Sequence, residues 1–155
     1  MSDTRATLEA FLAQWGEALS ARALMRFKIG ELPADGLTPA SKADAFTGQF
    51  GFQPIGFNWE MLDPGLDLNA PRSARATLVE ALTNDMTKHT VQWLGEARAL
   101  ECADALLGAF DPARRTVLSN HLNGLWYPIS GAADEWSFVV MDETTIALLV
   151  LAGKG

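Results

Sequence analysis

The sequence predicts an α+β fold: one globular domain over residues 1–155, with helices packed on a small C-terminal antiparallel sheet. Two observations support this prediction. Residues 136–151 contain two runs of β-branched and aromatic residues on either side of a short polar break at residues 142–145, which is the pattern of a β-hairpin. Several earlier segments repeat apolar residues at the spacing of amphipathic helices.

The turn of this C-terminal hairpin determines its register, placing Met141 opposite Ile146 and Phe138 opposite Leu149. One face then carries Trp136, Phe138, Val140, Ala147, Leu149 and Leu151, and the other carries Ser137, Val139, Met141, Ile146, Leu148 and Val150. Both faces are apolar, whereas a sheet with one solvated face alternates apolar and polar residues. We therefore expect cover on both faces. A second face left open would predict a homodimer through the C-terminal sheet.

The N-terminal segment, residues 4–28, has the apolar spacing of one amphipathic helix. Its apolar stripe consists of Leu8, Phe11, Leu12, Trp15, Ala18, Leu19 and Ala23. Arg26 and Lys28 suit the negative pole at the end of a helix, and Gly30 is expected to stop it. We expect the stripe to pack on one face of the C-terminal hairpin.

Residues 31–71 are rich in glycine and proline and contain one helix signal and one aromatic run. Thr38 followed by Pro39 predicts the start of a short helix that ends at Gly48. The aromatic run is close to alternation but is interrupted by Pro54, which limits any strand here to an edge or a bulge. It consists of Phe50, Phe52, Ile55, Phe57 and Trp59. We expect this run to cover the second face of the hairpin.

Two further helices are predicted over residues 71–86 and 95–109, after a turn at residues 63–65. The first stripe contains Leu78, Val79, Leu82 and Met86, and the second contains Leu100, Ala103, Leu107 and Phe110. The segment between them, residues 87–94, is open to helix or strand, because its β-branched residues also suit a strand.

A short helix and a third strand are predicted before the hairpin. Asp111 followed by Pro112 is a helix start signal, so we expect a helix over residues 112–123 with Gly124 as its stop. Residues 125–129 have strand composition and would join the C-terminal hairpin in a three-stranded meander.

Charge and cysteine content exclude several classes of function. The net charge of −7 argues against nucleic acid and against anionic membrane surfaces, which both require clustered Lys and Arg. The longest apolar run is far too short to span a bilayer, and the N-terminus lacks the apolar core of a signal peptide. Cys102 is the single cysteine, which fits a reducing compartment. We therefore expect a cytoplasmic protein.

Few residues point to catalysis. On a continuous helix Asp85 and His89 would share a face as half of a metal site, but a surface Asp–His pair is the commoner arrangement. Cys102 lies in an Ala- and Leu-rich helical stretch, which favours buried packing over a nucleophilic role. We therefore expect no catalytic residue, no metal and no cofactor.

The densest group of residues suited to binding lies where the predicted helix 112–123 meets the predicted strand. It comprises Asn120, His121, Trp126 and Tyr127. Trp and Tyr combine an apolar ring with one polar group, which suits both pockets and interfaces. Because neighbouring strand residues alternate faces, at most one of these two rings would point into a given pocket. Trp59, at the end of the aromatic run, is a second candidate.

Two functions from different classes agree with these features, the first as the leading hypothesis and the second as its alternative. The first is a non-enzymatic, acidic cytosolic interaction protein, either a binder, an inhibitor or a chaperone-like protein, with a basic protein as its partner. The second is a small-molecule-binding protein or modest enzyme with a pocket around His121, Trp126 and Trp59. A concave, polar-lined cavity at His121 would favour the second function, and a flat acidic or apolar patch would favour the first.

Overall fold

The computed structural model describes residues 3–34, 38–62, 73–122 and 124–154. Within these residues the chain forms four α-helices and seven strands. The helices are α1 (Asp3–Ser20), α2 (Pro39–Gly48), α3 (Ala74–Thr83) and α4 (Glu96–Leu107), with one 3-10 turn at Gly56–Asn58. The strands are β1 (Ala23–Glu31), β2 (Glu60–Leu62), β3 (Thr116–Ser119), β4 (His121–Leu122), β5 (Leu125–Trp126), β6 (Glu135–Met141) and β7 (Thr145–Gly153).

Five of the strands form one antiparallel sheet in the order β1-β7-β6-β3-β2, and β4 and β5 form a separate hairpin. The β6–β7 hairpin has the predicted register, with Met141 opposite Ile146 and Phe138 opposite Leu149. The predicted α+β class is therefore confirmed. The sheet is not confined to the C-terminal part of the chain, however, because its two edges are β1 and β2.

Both faces of the β6–β7 hairpin are buried, as predicted. The first face packs on α1, α3 and α4, in a core that includes Leu78 and Leu106. The second face packs on α2 and the aromatic run, in a core that includes Phe46 and Trp59. In the described part of the chain, the second face is thus covered by the protein itself. Homodimerisation through this sheet stays a prediction.

The predicted helix over residues 4–28 is wrong at its C-terminal end, because α1 stops at Ser20 and the chain continues as β1 against β7. From this point apolar residues recur at every second position, which is the period of a strand. These residues are Ala23, Met25, Phe27 and Ile29, and they pack toward the first face. Gly30 lies within the strand, where a Cβ atom would come 2.6 Å from Cε1 of Phe46.

Helix α2 has the predicted start and end. The Thr38 hydroxyl accepts a hydrogen bond from the N–H of Ser41 at 3.1 Å, and the Ser41 hydroxyl accepts one from the N–H of Thr38 at 3.0 Å. This capping box satisfies two backbone donors, and Pro39 occupies the first helical turn.

The two predicted helices over residues 71–86 and 95–109 correspond to α3 and α4 with shorter bounds. The predicted turn at residues 63–65 and the first residues of the 71–86 helix lie outside the described residues. The segment left open between helix and strand, residues 87–94, is neither. It belongs to a loop closed by a hydrogen bond of 2.8 Å from the N–H of Asp85 to the carbonyl of Val91.

The predicted helix over residues 112–123 is wrong. Asp111 starts only a turn, in which its carbonyl accepts hydrogen bonds from the N–H groups of Arg114 and Arg115, each at 3.0 Å. The chain then forms β3 between β2 and β6. The β-branched sequence of β3 and its pairing partners on both sides outweigh the local helix start signal.

The predicted strand over residues 125–129 is confined to β5, which pairs with β4 and not with the C-terminal hairpin. The expected three-stranded meander is therefore wrong, and β3 takes the place beside β6. No helix in the described ranges is both long enough and apolar enough to cross a membrane.

Candidate functional site

A cleft of about 500 Å³ lies at the end of the sheet where β6 begins. One wall is formed by the end of α3 and the loop after it, and it presents Glu80, Asn84, Asp85 and His89. The other wall is formed by the β4–β5 hairpin and the start of β6, and it presents His121, Trp126, Asp134 and Trp136. The volume is typical of a small-ligand site.

The β4–β5 hairpin brings two aromatic side chains together on the second wall. Gly124 in its turn has a φ of +79°, a left-handed conformation that glycine adopts without strain. The register pairs His121 with Trp126, and their ring centroids are 6.0 Å apart. Nε1 of Trp126 donates to the carbonyl of Ala133 at 2.7 Å, which orients the indole, while 45% of the residue stays exposed.

His121 belongs to an aromatic stack. Its ring centroid lies 3.4 Å from that of Trp136, and Trp136 stacks in turn on Phe138 at 5.5 Å. Nε2 of His121 lies 2.8 Å from the carbonyl oxygen of Glu135, and because a carbonyl can only accept, Nε2 carries the proton. Burial lowers the pKa of His121, against the opposing effects of this hydrogen bond and of the Glu135 charge.

Glu135 is 2% exposed, and its carboxylate accepts hydrogen bonds from five donors. Oε2 accepts from Nδ2 of Asn120 at 3.0 Å, from the N–H of Ile129 at 2.9 Å and from the hydroxyl of Ser137 at 2.7 Å. Oε1 accepts from the N–H of Ser130 at 2.9 Å and from its hydroxyl. Both carboxylate oxygens therefore have hydrogen-bond partners although the group is excluded from water. The carboxylate thus joins the end of β3, the segment after β5 and the start of β6.

Asp85 holds the loop that forms the first wall. Its Oδ1 accepts from the hydroxyl of Thr87 at 2.7 Å and from the N–H groups of Thr87 and Lys88 at 2.8 and 2.9 Å. Its Oδ2 accepts from Arg22 at 3.3 Å. The Thr87 hydroxyl, followed by the two N–H groups and Arg22, holds the pKa of Asp85 well below its usual range, against the opposing effect of burial.

The cleft carries negative charge that its neighbours do not neutralise. Among its lining residues in the described ranges there are four carboxylates and no Lys or Arg. Asp85 is paired with Arg22, and the Glu135 carboxylate is fully engaged in hydrogen bonds. Glu80 and Asp134 form no ion pair with any residue that the structure describes. The cleft therefore combines an aromatic wall with two uncompensated carboxylates.

The structure places the predicted binding residues in three different environments. His121 and Trp126 line the cleft together. Asn120 is fully buried, with Oδ1 accepting from the N–H of Ser137 at 2.8 Å, and Tyr127 is half-buried with its N–H bonded to the Asn120 carbonyl at 2.9 Å. These two residues support the hairpin.

Trp59 does not line the cleft. It is 5% exposed within the core on the second face of the sheet, and its Nε1 donates to Oδ1 of Asp44 at 2.8 Å. The pocket expected around three residues therefore contains His121 and Trp126 without Trp59.

The residues considered for catalysis occupy two different environments, the cleft and the buried core. Asp85 and His89 both line the cleft, although they follow the end of α3 and do not share a helix. The described residues contain no group of three or more His, Cys, Asp or Glu side chains placed to hold a metal. Cys102 is 1% exposed, as predicted for a packing residue, and burial raises the pKa of its thiol to about 12.

The lining residues that the sequence did not predict as site residues include Glu80, Asn84, Asp134, Glu135 and Trp136. The sequence predicts correctly that Trp136 lies on the first face of the sheet. It does not predict that this side chain is only partly buried and lines the cleft. One sequence signal was available. The dipeptide Asn123–Gly124 is a strong indicator of a two-residue hairpin turn, and it would have predicted the pairing of His121 with Trp126.

Comparison with protein-family models, with curated proteins and with solved structures gives no match for this chain. A function is therefore inferred from the chemistry of the cleft.

Proposed function

We propose that this protein is a small-ligand-binding protein and that its binding site is the cleft between α3 and the β4–β5 hairpin. The observation that supports this proposal most is the concave cavity of about 500 Å³ at His121, walled by Trp126 and Trp136. Cavities of this size that combine aromatic walls with a few polar groups are the usual form of small-molecule sites. A cavity at this position favours ligand binding over a flat interaction surface.

The walls of the cleft are held in place before any ligand arrives. The ring of His121 stacks on Trp136, and the segment after β5 donates backbone hydrogen bonds to the Glu135 carboxylate. On the opposite side, Asp85 closes the loop after α3. A preorganised site loses less conformational entropy when the ligand binds, so these supports favour measurable affinity.

The test is a screen of small polar and aromatic molecules by thermal shift, followed by calorimetry on the molecules that stabilise the protein. Two variants localise the binding. Asn84→Trp places a bulky side chain at the exposed rim of the cleft, where Asn84 ends α3. Gln49→Trp makes the equivalent change at the exposed residue that ends α2 and does not line the cleft.

We expect molecules that bind the wild type to lose at least about tenfold in affinity for Asn84→Trp, because the indole would occupy their site. The same molecules should bind Gln49→Trp as they bind the wild type. Equal loss in both variants, or no loss in either, would place the binding site elsewhere and contradict the proposal.

A further inference from the structure

We propose that the group recognised in the cleft is an organic cation, an ammonium or guanidinium group, held against the indole of Trp126 by the carboxylates of Glu80 and Asp134. This inference rests on the proposed function of the cleft. It goes beyond that function by assigning the charge and chemical class of the ligand.

The first argument is the aromatic wall. Trp is the side chain whose ring face attracts cations most strongly, because its quadrupole places negative potential above the ring. Trp126 is 45% exposed, and its indole N–H is already bonded to the carbonyl of Ala133, so the indole contributes its ring surface to a ligand. Trp136 and His121 extend the aromatic surface into the cleft.

The second argument is charge. Two of the four carboxylates in the cleft, Asp85 and Glu135, are bonded within the fold. The other two, Glu80 and Asp134, form no ion pair in the described part of the chain. Glu80 comes from α3 on one wall and Asp134 from the residue before β6 on the other. A cation between them would be attracted from both sides, whereas an anion would be repelled, and the net charge of −7 adds to this preference.

Two sources can supply such a cation: a free small amine, or a Lys or Arg side chain of a basic protein. Both present the same chemistry to the cleft, and a volume of about 500 Å³ accommodates either. The two sources differ in the neutral part of the molecule that carries the charge. A comparison of the affinities of a small amine and of an amino-acid derivative therefore distinguishes them.

The experiment compares each cation with a neutral molecule of the same shape. Choline is compared with 3,3-dimethylbutan-1-ol, N-acetyl-lysine methylamide with N-acetyl-norleucine methylamide, and N-acetyl-arginine methylamide with N-acetyl-citrulline methylamide. Affinities are measured by calorimetry at low and at physiological salt. We expect at least one cation to bind at least about tenfold more tightly than its neutral partner, with an affinity that falls as salt rises. The cation that binds more tightly indicates the source.

Variants then test the assigned residues. Affinity for the cation should fall from the wild type to Trp126→Phe and again to Trp126→Leu, because Phe has a weaker ring quadrupole than Trp and Leu has no ring. The double variant Glu80→Gln with Asp134→Asn should lose about tenfold or more. The matched control, Glu9→Gln with Glu101→Gln, also removes two negative charges, but from exposed positions on α1 and α4 that do not line the cleft. It should bind the cation as the wild type does.

The outcomes separate this inference from the proposed function. Equal binding of the cations and their neutral partners, lost in Asn84→Trp, would keep the cleft as a ligand site and overturn its selectivity for cations. Equal loss in the Glu80–Asp134 variant and its control would show that only the overall charge matters, which also overturns the inference. Failure of all three cations to bind at concentrations up to tens of millimolar would overturn it as well.

Discussion

The imidazole of His121 stacks on the indole of Trp136, with ring centroids 3.4 Å apart and planes within 6° of parallel. His121 lies on β4 and Trp136 on β6, so the stack fastens the short β4–β5 hairpin to the main sheet. The hydrogen bond from Nε2 of His121 to the carbonyl of Glu135 adds a second connection at the same place. The second wall of the cleft depends on these two contacts.

Removal of the imidazole should destabilise the fold. We expect His121→Ala to lower the free energy of unfolding by about 2 kcal/mol, since an aromatic pair contributes about 1 kcal/mol beyond its buried area and the hydrogen bond contributes a similar amount. His121→Phe keeps a ring and should lose only about half as much. Urea unfolding measures both, with the exposed His89→Ala as a control near zero. If His121→Ala is as stable as the wild type, the stack does not support the fold.

The lowered pKa of His121 predicts a specific dependence of stability on pH. In the unfolded chain this imidazole takes up a proton as pH falls through about 6.5, whereas the folded form resists protonation until a lower pH. The stability that the neutral ring contributes is therefore fully present above about pH 6.5 and is lost as pH falls toward the folded pKa.

The measurement is the difference in unfolding free energy between the wild type and His121→Phe, which cannot titrate, at several pH values between 8 and 5. The difference should be constant above about pH 6.5 and should move against the wild type below it. A difference that is flat throughout, or that moves in favour of the wild type, would contradict a lowered pKa.

The five donors around Glu135 predict that even an isosteric change is costly. In Glu135→Gln an NH₂ group replaces one oxygen and faces a backbone N–H that can only donate, that of Ile129 at Oε2 or that of Ser130 at Oε1. We expect a loss of about 2–4 kcal/mol, because at least one buried donor is left without an acceptor. Thermal and urea unfolding measure the loss, with Glu101→Gln on the exposed side of α4 as the control. A Gln variant as stable as the wild type would mean that the donor network is not required.

The burial of both sheet faces predicts that a charge is costly on either. Leu148 and Leu149 point to opposite faces of β7 and are 0% and 1% exposed. Leu148→Asp and Leu149→Asp should each destabilise by several kcal/mol, since each buries an unpaired carboxylate. Leu24→Asp, on the neighbouring strand β1 and 60% exposed, is the matched control and should be nearly neutral.

Thermal unfolding and size-exclusion mass distinguish packing from assembly for these variants. A Leu148→Asp protein that keeps its melting temperature but changes its mass would identify the second face as a homodimer interface. Retention of both properties by either variant would contradict burial of that face.

The parts of the fold that the sequence predicted correctly are those where local and long-range signals agree. The β6–β7 hairpin has β-branched residues, a polar turn and two apolar faces, and its register followed directly. Helix α2 has its cap, its proline and its capping box within the first four positions. In both cases the neighbours in the fold reinforce what the local sequence already favours.

The errors occur where two periods overlap or where a local signal competes with pairing. Ala23 satisfies the predicted helical stripe as well as the alternation of β1, and only the presence of β7 beside it decides the outcome. Asp111 followed by Pro112 is a valid helix start, but the next residues gain two strand partners by extending. His121 and Trp126 were predicted as site residues from their chemistry, whereas Glu80 and Asp134 reach the same cleft only through tertiary packing.

The claim that the cleft binds a cationic ligand is tested most directly by the indole N–H signals of the five tryptophans in a nitrogen–proton correlation spectrum. The chloride salt of the cation that binds most tightly in calorimetry is titrated into the wild type, with sodium chloride at the same ionic strength as the reference. We predict that the signal of Trp126 moves with saturation, that those of Trp59 and Trp93, bonded to Asp44 and to the carbonyl of Ala18, stay in place, and that Asn84→Trp abolishes the shift. A shift of Trp59 or Trp93 with Trp126 unchanged would contradict the assignment of the cleft as the binding site.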